Sequence, residues 1–346
     1  MKNIVCITGT RPQLIKHAVF LKEAQKHYNV ASLYTGQHYQ YELNALFKTE
    51  LFDKAPFHNL LLEQNQPAAV RLGEMIQKIA AYLRENEPEA VVVYGDTDTT
   101  LAGALAANKT NIPLVHIEAG ERSYNPEMPE EQNRRLTDML AAVLFCASHS
   151  AMENLQKENI RGTAFYCGDV MKDLLLQTAE LFQNPMLDEP YFFCTIHRSY
   201  TKQNRIVLTQ LLEALGALQT LVIFPVHPAT QQTISELEHQ AAYKNIRFLP
   251  PVSYNDSIHY QKFARAVLTD SGGIQKEAYW LKTPCITIRK ETEWTDTLKG
   301  NWNQLVYEDL SVLPQLLQAP KEHHDSGLYG SGNAAACIVH HLKQLF

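Results

Sequence analysis

The feature that most constrains the fold is a regular alternation of short apolar runs with helical patterns along almost the whole chain. The apolar runs are rich in β-branched residues, and their alternation with helices predicts parallel sheets covered on both faces. The predicted strands form two series, which are residues 3–8, 30–35, 90–94, 113–117, 142–146 and 163–167, followed by 191–196, 220–225, 246–248, 266–268 and 285–288.

A polar stretch at residues 183–190 separates the two series. With 346 residues, the chain is long enough for two domains. We therefore predict an α/β protein with an N-terminal Rossmann-like domain at residues 1–168 and a C-terminal one at 169–332. Residues 333–346 read as a final helix. The simplest arrangement has the two domains facing each other across a cleft.

Composition narrows the classes of function. The chain is 45% hydrophobic and 20% charged, with a net charge of −6, which argues against a nucleic-acid binder. No signal peptide or membrane span is visible, so we expect a cytoplasmic protein with no nucleic-acid or membrane partner. The cysteines lack metal-type or disulfide-type spacing and predict buried free thiols. They are Cys6, Cys146, Cys167, Cys194, Cys285 and Cys337.

The most charged segment is residues 114–134, LVHIEAGERSYNPEMPEEQNR, which begins as a strand and ends in a helix start. Pro129 suits the first turn of a helix, where acidic neighbours meet the positive end of the dipole. Glu130 and Arg134 then share one helical face. So many ionisable groups favour a cleft lining over a core, and a solvated helix cap is the alternative.

Polar motifs follow the predicted strands, which places them at one edge of each sheet, where ligands of open parallel sheets bind. In the second series, Ser271, Gly272 and Gly273 precede a helix whose N-terminal N–H groups suit a phosphate. Arg11 and Lys16 could supply cations to the same ligand. Together they favour a diphosphate over plain turn glycines. The motifs are residues 9–16, 95–100, 116–122, 195–199, 225–228 and 269–277.

Cofactor and metal chemistry is disfavoured. The chain has no Walker phosphate loop, and its GxGxxA string at residues 330–335 does not follow a strand. Asp96, Thr97 and Asp98 look like a DxD metal clamp, but alternate side chains of an extended segment diverge. We favour Asp96 as an acid/base group without metal, and His197 for acid catalysis or phosphate contact. His227 is more ambiguous. We expect no cofactor and no metal.

As an ordered series, these motifs resemble the non-hydrolysing UDP-N-acetylglucosamine 2-epimerases. The matching segments are GTRPQLIK (9–16), TGQH (35–38), GDTDTT (95–100), HIEAG (116–120), PEEQNR (129–134), His197-Arg198, TDSGGIQ (269–275) and Thr292-Glu293. The resemblance implies two Rossmann-like domains of the GT-B type, a homodimer, and a C-terminal helix that crosses back to the N-terminal domain. It also implies an isomerase that acts on a UDP-sugar.

The resemblance implies site residues one position at a time. The catalytic group would be Asp96, Glu118, Glu130 and His197. The residues that would hold the UDP-sugar are Arg11, Lys16, Arg134, Ser271, Gly272, Gly273 and Glu277, with Glu277 on the ribose. Several family members bind a second UDP-sugar as an activator, and the positions that match that site are Gln37, Gln40, Glu131, Arg198 and His227.

Three residues depart from the family pattern. Gln13 stands where Glu usually follows Arg-Pro, Lys276 replaces an acid, and Trp294 replaces an arginine. Gln13 and Trp294 together look like the subgroup that acts on UDP-2,3-diacetamido-glucuronic acid. The sugar is therefore either UDP-N-acetylglucosamine or a modified relative of it.

The chemistry can be argued from the residues. Inverting C2 of an N-acetylhexosamine without a nicotinamide requires UDP to leave C1 while a base removes the C2 proton, which gives a glycal. Re-addition of UDP with a proton from the opposite face completes the epimerisation. This route needs acid/base groups near C2 and positive stabilisation of UDP. A GT-B glycosyltransferase, a hydrolysing epimerase and a non-catalytic sugar-nucleotide sensor are the alternatives.

Overall fold

The computed structural model describes residues 1–36, 57–63, 65–197, 205–226, 230–240 and 243–346. The chain divides into two compact units. The first unit contains Met1–Leu174 together with Gly327–Phe346, and the second contains Leu175–Ser326. Within the described residues, no helix combines the length and the apolar content needed to cross a bilayer.

A seven-stranded parallel sheet with the order β3-β2-β1-β4-β5-β6-β7 forms the centre of the first unit. Its strands are β1 (Lys2–Thr8), β2 (Tyr28–Tyr34), β3 (Phe57–Asn59), β4 (Ala90–Tyr94), β5 (Leu114–Ala119), β6 (Val143–Cys146) and β7 (Thr163–Tyr166). The helices are α1 (Arg11–Ala24), α2 (Ala68–Asn86), α3 (Asp98–Lys109), α4 (Pro129–Leu140), α5 (His149–Lys157), α6 (Val170–Glu180, which crosses the boundary between the units) and α12 (Ala334–Leu345).

Strand β4 shows why this sheet is buried on both faces. All five of its residues are buried. Val91 and Val93 belong to one apolar cluster, whereas Val92 belongs to another on the opposite face, as alternation along a strand requires. The cluster around Val92 includes Ile338 and Leu342 of α12. The C-terminal helix therefore covers one face of the first sheet.

The second unit repeats the design with a six-stranded parallel sheet of order β10-β9-β8-β11-β12-β13. Its strands are β8 (Tyr191–Thr195), β9 (Leu221–Pro225), β10 (Ile246–Leu249), β11 (Ala266–Thr269), β12 (Cys285–Ile288) and β13 (Asn303–Val306). Its helices are α7 (Arg205–Gly216), α8 (Gln231–Gln240), α9 (Tyr254–Phe263), α10 (Gly272–Trp280) and α11 (Leu313–Gln318), with 3₁₀ turns at Thr295–Asn301 and Leu310–Val312.

Strand order changes direction between β1 and β4 in the first sheet and between β8 and β11 in the second. Ligands of open α/β sheets bind beyond the carboxyl ends of the strands at such switch points. The polar motifs at residues 9–16 and 95–100 follow β1 and β4, and those at 195–199 and 269–277 follow β8 and β11. The prediction of an α/β chain with two Rossmann-like sheets is confirmed.

The prediction of six free thiols is wrong for one pair. Cys167, just after β7, forms a disulfide with Cys337 of α12 across 170 residues of sequence. Spacing gave no signal because the chain crosses the whole second unit between the two positions. The other four cysteines (Cys6, Cys146, Cys194 and Cys285) are buried free thiols, as predicted.

Candidate functional site

A buried ion pair lies beside the loop that follows β4. Lys16 of α1 and Glu118 of β5 approach to 2.6 Å between Nζ and Oε1, and both side chains are less than 10% exposed. Gly95 packs against them, since a Cβ at this position would come within 3.3 Å of both charged atoms. Its φ of +63° is also one that favours glycine. Gly95 therefore brings the start of the 95–100 loop directly against the Lys16–Glu118 pair.

Glu118 itself has an uncommon backbone conformation. Its φ is +69°, in the left-handed region that side-chain-bearing residues rarely adopt. The register between β5 and β6 shifts at this point, from Ile117 to Ala119. Strand irregularities of this kind re-aim a side chain, and strained backbone is concentrated at functional sites. The irregularity of the strand thus coincides with the residue whose carboxylate pairs with Lys16.

A second row of charges joins the 95–100 loop to α4. Arg134 forms a salt bridge through Nη2 with the Asp96 carboxylate and through Nη1 with Glu131 at 3.1 Å. The backbone N–H of Ser123 donates to the same Glu131 oxygen at 2.7 Å. Arg134 and Glu131 are almost fully buried, whereas Asp96 is partly exposed. Arg134 thus holds the Asp96 carboxylate in place, while part of the Asp96 side chain remains exposed.

Beneath these residues lies a charged cluster that the sequence did not predict. His116 Nδ1 is 2.7 Å from Asp138 Oδ1, and its Nε2 is 2.7 Å from the carbonyl oxygen of Gly95. Each ring nitrogen of His116 therefore lies within hydrogen-bond distance of an oxygen atom. Asp138 also binds Arg122 at 2.8 Å, and all three side chains are completely buried.

Asp138 lies between His116 and the Arg122 guanidinium. Burial acts to raise the pKa of its carboxyl group, but the hydrogen bonds and charges of His116 and Arg122 outweigh that effect, and the pKa lies below its ordinary value. Arg122 also makes a bidentate pair with Glu158, through Nε at 2.9 Å and Nη2 at 2.8 Å. The cluster holds the carbonyl of Gly95, the residue that precedes Asp96, and thereby positions the loop.

Gln13 links the loop after β1 to the loop after β4. Its Oε1 accepts from the N–H of Gly9 at 2.8 Å, while its Nε2 donates to the carbonyl of Tyr94 at 2.9 Å. The same Nε2 lies 2.9 Å from the hydroxyls of Thr97 and Thr100. A carboxylate could not donate to the Tyr94 carbonyl. The amide of Gln13, which stands where the family pattern has Glu, therefore makes a hydrogen bond that a carboxylate could not make.

These contacts bring Lys16, Asp96, Glu118 and Arg134 together at the switch point of the first sheet. Glu130 lies half-buried in the first turn of α4, as expected for the helix that begins at Pro129. Arg11 is half-buried at the start of α1. Glu131 was predicted to contact an activator, but in the structure its carboxylate holds Arg134. Much of the charged stretch at 114–134 takes part in an ion-pair network.

The phosphate site predicted for the second unit falls at the N-terminus of α10. Ser271 caps the helix and accepts from the N–H of Ile274. Its own N–H is held by the Thr269 hydroxyl at 3.0 Å. Gly272 has no room for a side chain, because a Cβ there would be 2.9 Å from Glu293 Oε1. The first N–H groups of a helix lack intrahelical acceptors and attract anions.

The side chains around this helix differ from those of the first unit. Lys276 is buried, with Nζ 3.5 Å from the centre of the Trp294 ring, so a cation–π contact stands where the family pattern has an acid. Glu293 is paired with Arg289 at 2.9 Å. Glu277, expected on the ribose, is buried and accepts from Gln261 Nε2 at 2.8 Å.

His197 follows β8, and its side chain is exposed. Its backbone N–H donates to Asp270 Oδ1 at 2.7 Å, which ties the loop after β8 to the loop after β11. His197 therefore lies at the carboxyl end of β8, beside the switch point of the second sheet. The remaining activator-site predictions, Gln37, Gln40, Arg198 and His227, lie outside the described residues.

The comparisons with known proteins agree with one another. A sequence profile of the UDP-N-acetylglucosamine 2-epimerase family matches residues 22–343. A UDP-N-acetylglucosamine 2-epimerase homolog of Methanococcus maripaludis is 38% identical, over 99% of this chain and 100% of its own length. The UDP-2,3-diacetamido-2,3-dideoxy-D-glucuronate 2-epimerase of Pseudomonas aeruginosa is 35% identical, also over 99% of this chain and 100% of its own.

The fold agrees with that of a solved relative. The crystal structure of the Methanocaldococcus jannaschii UDP-GlcNAc 2-epimerase, in complex with UDP-GlcNAc and UDP, matches with a TM-score of 0.89 at 32% identity. The match covers 99% of each chain. The GT-B-type fold and the resemblance noted from the motifs are both confirmed, and the chain belongs to the UDP-N-acetylglucosamine 2-epimerase family.

Proposed function

We propose that the protein interconverts UDP-GlcNAc and UDP-ManNAc by a non-hydrolysing 2-epimerisation. The observation that carries the proposal is the convergence of the Asp96 and Glu118 carboxylates with Lys16 and Arg134 at the switch point of the first sheet. Family membership supplies the substrate class. The relative of known structure was crystallised with UDP-GlcNAc and UDP.

In the first half-reaction the C1–O bond to UDP breaks and its electron pair leaves with the diphosphate. A carboxylate takes the C2 proton, and the C1–C2 double bond of a 2-acetamidoglucal forms. We assign UDP binding to Ser271, Gly272 and Gly273, where the start of α10 stabilises the developing charge. His197 assists departure of the diphosphate, and Arg11 supplies a further cation.

In the second half-reaction UDP returns to C1, and a proton reaches C2 from the opposite face. Two acid/base groups are therefore required. Glu118 lies beside Lys16 and Asp96 beside Arg134, and we assign these two carboxylates to the proton transfers at C2. Glu130, at the partly exposed start of α4, completes the proposed acid/base set.

The test is incubation of the protein with UDP-GlcNAc in deuterated water, followed by NMR. Deuterium at C2 together with UDP-ManNAc supports the proposal. UDP with free sugar would indicate hydrolysis, and unchanged substrate would contradict the proposal for this sugar. Incorporation of deuterium into recovered UDP-GlcNAc checks that the proton transfer is reversible.

A second sugar is favoured by a specific observation. Gln13 and Trp294 both depart from the common family pattern, and both are buried parts of the network around the loops. The 35% identical Pseudomonas aeruginosa relative acts on UDP-2,3-diacetamido-2,3-dideoxy-D-glucuronate. The assay is therefore run in parallel with that sugar nucleotide, and the larger kcat/KM assigns the substrate.

Three further properties complete the proposal. The protein acts as a homodimer in the cytoplasm, and its product feeds surface-polysaccharide biosynthesis. The homodimer follows from the family resemblance and is checked by light scattering on the purified chain, where the mass of a single chain would contradict it. The polysaccharide role is checked by loss of the N-acetylmannosamine-derived or related sugar from the cell surface after deletion of the gene.

A further inference from the structure

Three potential metal ligands converge where the C-terminal helix meets the end of β7. Cys167 follows β7, while Cys337 and His341 lie four residues apart on α12 and so share one face of that helix. One ligand atom from each residue lies within 4.8 Å of the others. Cys167 is buried, and the other two are half-buried. None of the three takes part in the proposed reaction.

The His341 ring is packed against aromatic side chains. It stacks on Phe165 with ring centroids 4.1 Å apart and an interplanar angle of 23°, and it lies 6.4 Å from the ring of Phe145. Its Nδ1 is buried and has no hydrogen-bond partner in the part of the chain that the structure describes. Such an unsatisfied buried nitrogen requires an explanation, and a role of the ring as a ligand supplies one.

We propose that Cys167, Cys337 and His341 bind a thiophilic divalent cation, Zn²⁺, when the two cysteines are reduced. Two thiolates and one imidazole are ligands that Zn²⁺ prefers, and a water molecule completes a tetrahedral site. In the disulfide state the sulfurs are bonded to each other and cannot act as thiolates. The site is therefore available only after reduction.

The exchange between the two states balances chemically. A dithiol reductant passes two electrons to the Cys167–Cys337 disulfide and becomes a disulfide itself, and two protons convert the protein sulfurs to thiols. Binding of Zn²⁺ then displaces both thiol protons to solvent. In either state α12 remains tied to the end of β7, by the disulfide or by the metal.

The test is a Co²⁺ titration of the full chain after reduction and removal of the reductant, with Zn²⁺ competition. We expect one equivalent of Co²⁺ to give thiolate charge-transfer absorption and the visible bands of a tetrahedral site, both removed by Zn²⁺. Protein with the disulfide intact should show neither. The four buried thiols should not compete, because burial raises the pKa of each of them.

Variants assign the ligands. Cys337→Ser should abolish the charge-transfer band, and Cys167→Ser, which leaves α12 unchanged, should do the same. His341→Ala should weaken Co²⁺ binding by about tenfold or more, corresponding to at least about 1.4 kcal/mol. The matched control is His340→Ala, at the exposed neighbouring position, which should bind as the parent does. No Co²⁺ bands in the reduced parent, or identical bands in His341→Ala, would overturn the proposal.

Discussion

The candidate sites of the two units lie at equivalent switch points of their sheets but consist of different chemical groups. The first unit uses paired charged side chains, with Lys16 on Glu118 and Arg134 on Asp96, and all of them except the partly exposed Asp96 are buried. The second uses the N-terminus of α10, capped by a hydroxyl, with Gly272 allowing close approach. Buried charges are costly to unpair, whereas a helix start needs no charged side chain. We therefore expect the first site to be disrupted when any one of its charges is removed. We expect the second site to be disrupted only by changes at the start of α10 itself.

The largest effect should follow a change in an acid of the first unit that keeps its shape. Glu118→Gln removes the carboxylate that faces Lys16, and we expect kcat to fall by about 100- to 10,000-fold. The measurement is deuterium incorporation at C2, with UDP affinity followed separately by calorimetry. The matched control is Glu153→Gln, at an exposed acid of α5, which should leave kcat unchanged. Turnover of Glu118→Gln near the parent value would refute the catalytic assignment.

The second effect concerns the stability of the first unit. Asp138→Asn removes the buried anion that pairs with Arg122 and contacts His116, and we expect the free energy of unfolding to fall by about 3–5 kcal/mol. Hydrogen exchange of the β4 amides follows this unit, whereas all three tryptophans lie in the second and report on its unfolding by fluorescence.

The control for this prediction is Glu158→Gln. It removes the partly exposed partner of Arg122 but leaves Asp138 in place, so the expected loss is about 0–1 kcal/mol. An equal loss in the two variants would show that the buried carboxylate has no special role. A loss of stability detected only by tryptophan fluorescence would mean that the second unit had been destabilised and not the first, which would contradict the prediction.

The sequence predicted the structural features that depend on neighbouring positions in the chain better than the contacts between distant elements. All eleven predicted strands are present within two residues at each end, because apolar periodicity is a property of adjacent positions. Among the described residues, the two strands that the sequence did not predict, Phe57–Asn59 and Asn303–Val306, lie at the edges of their sheets. Edge strands are short and only half-covered, so their sequences lack the continuous apolar run of a central strand.

The contacts within the site were less predictable. The motifs placed Asp96, Glu118 and Arg134 near one edge, but nothing in the sequence indicated that Asp138, on the fourth helix, contacts both His116 and Arg122. His17 is a similar case, because it bonds Tyr94 and Ser32 while burial lowers its pKa to about 3. Such partners are set by packing between distant elements. Local patterns do not contain that information.

The third prediction concerns the pH dependence of stability and the carboxylate at the start of α12. The N-terminus of α12 is capped by a carboxylate, since Ala334 and Ala335 donate their N–H groups to the two oxygens of Asp173 at 3.0 and 2.8 Å. Burial raises the pKa of Asp173 to about 6, against the lowering effect of these two bonds. The folded chain therefore binds this proton more readily than the unfolded chain, whose Asp has the ordinary value of 3.8.

The sign of the pH dependence follows. As pH falls from about 6 towards 3.8, the parent should gain stability relative to Asp173→Asn by about 1.4 kcal/mol per pH unit. Above pH 6 the difference should be constant. Exchange of the β4 amides in both proteins across this range is the measurement, and parallel curves would contradict the raised pKa.

The smallest effect separates the capping role of Ser271 from its role in binding. Ser271 and Ser253 both cap helices of the second unit, accepting from the N–H groups of Ile274 and Asp256 respectively. Replacing either by alanine should cost about 0.5–2 kcal/mol of stability, measured by tryptophan fluorescence in urea. Only Ser271→Ala should also weaken UDP binding, because only the start of α10 is proposed to hold the diphosphate. If Ser253→Ala weakened UDP equally, the loss would reflect general loosening of the unit, and the helix start would no longer be distinguished as the anion site.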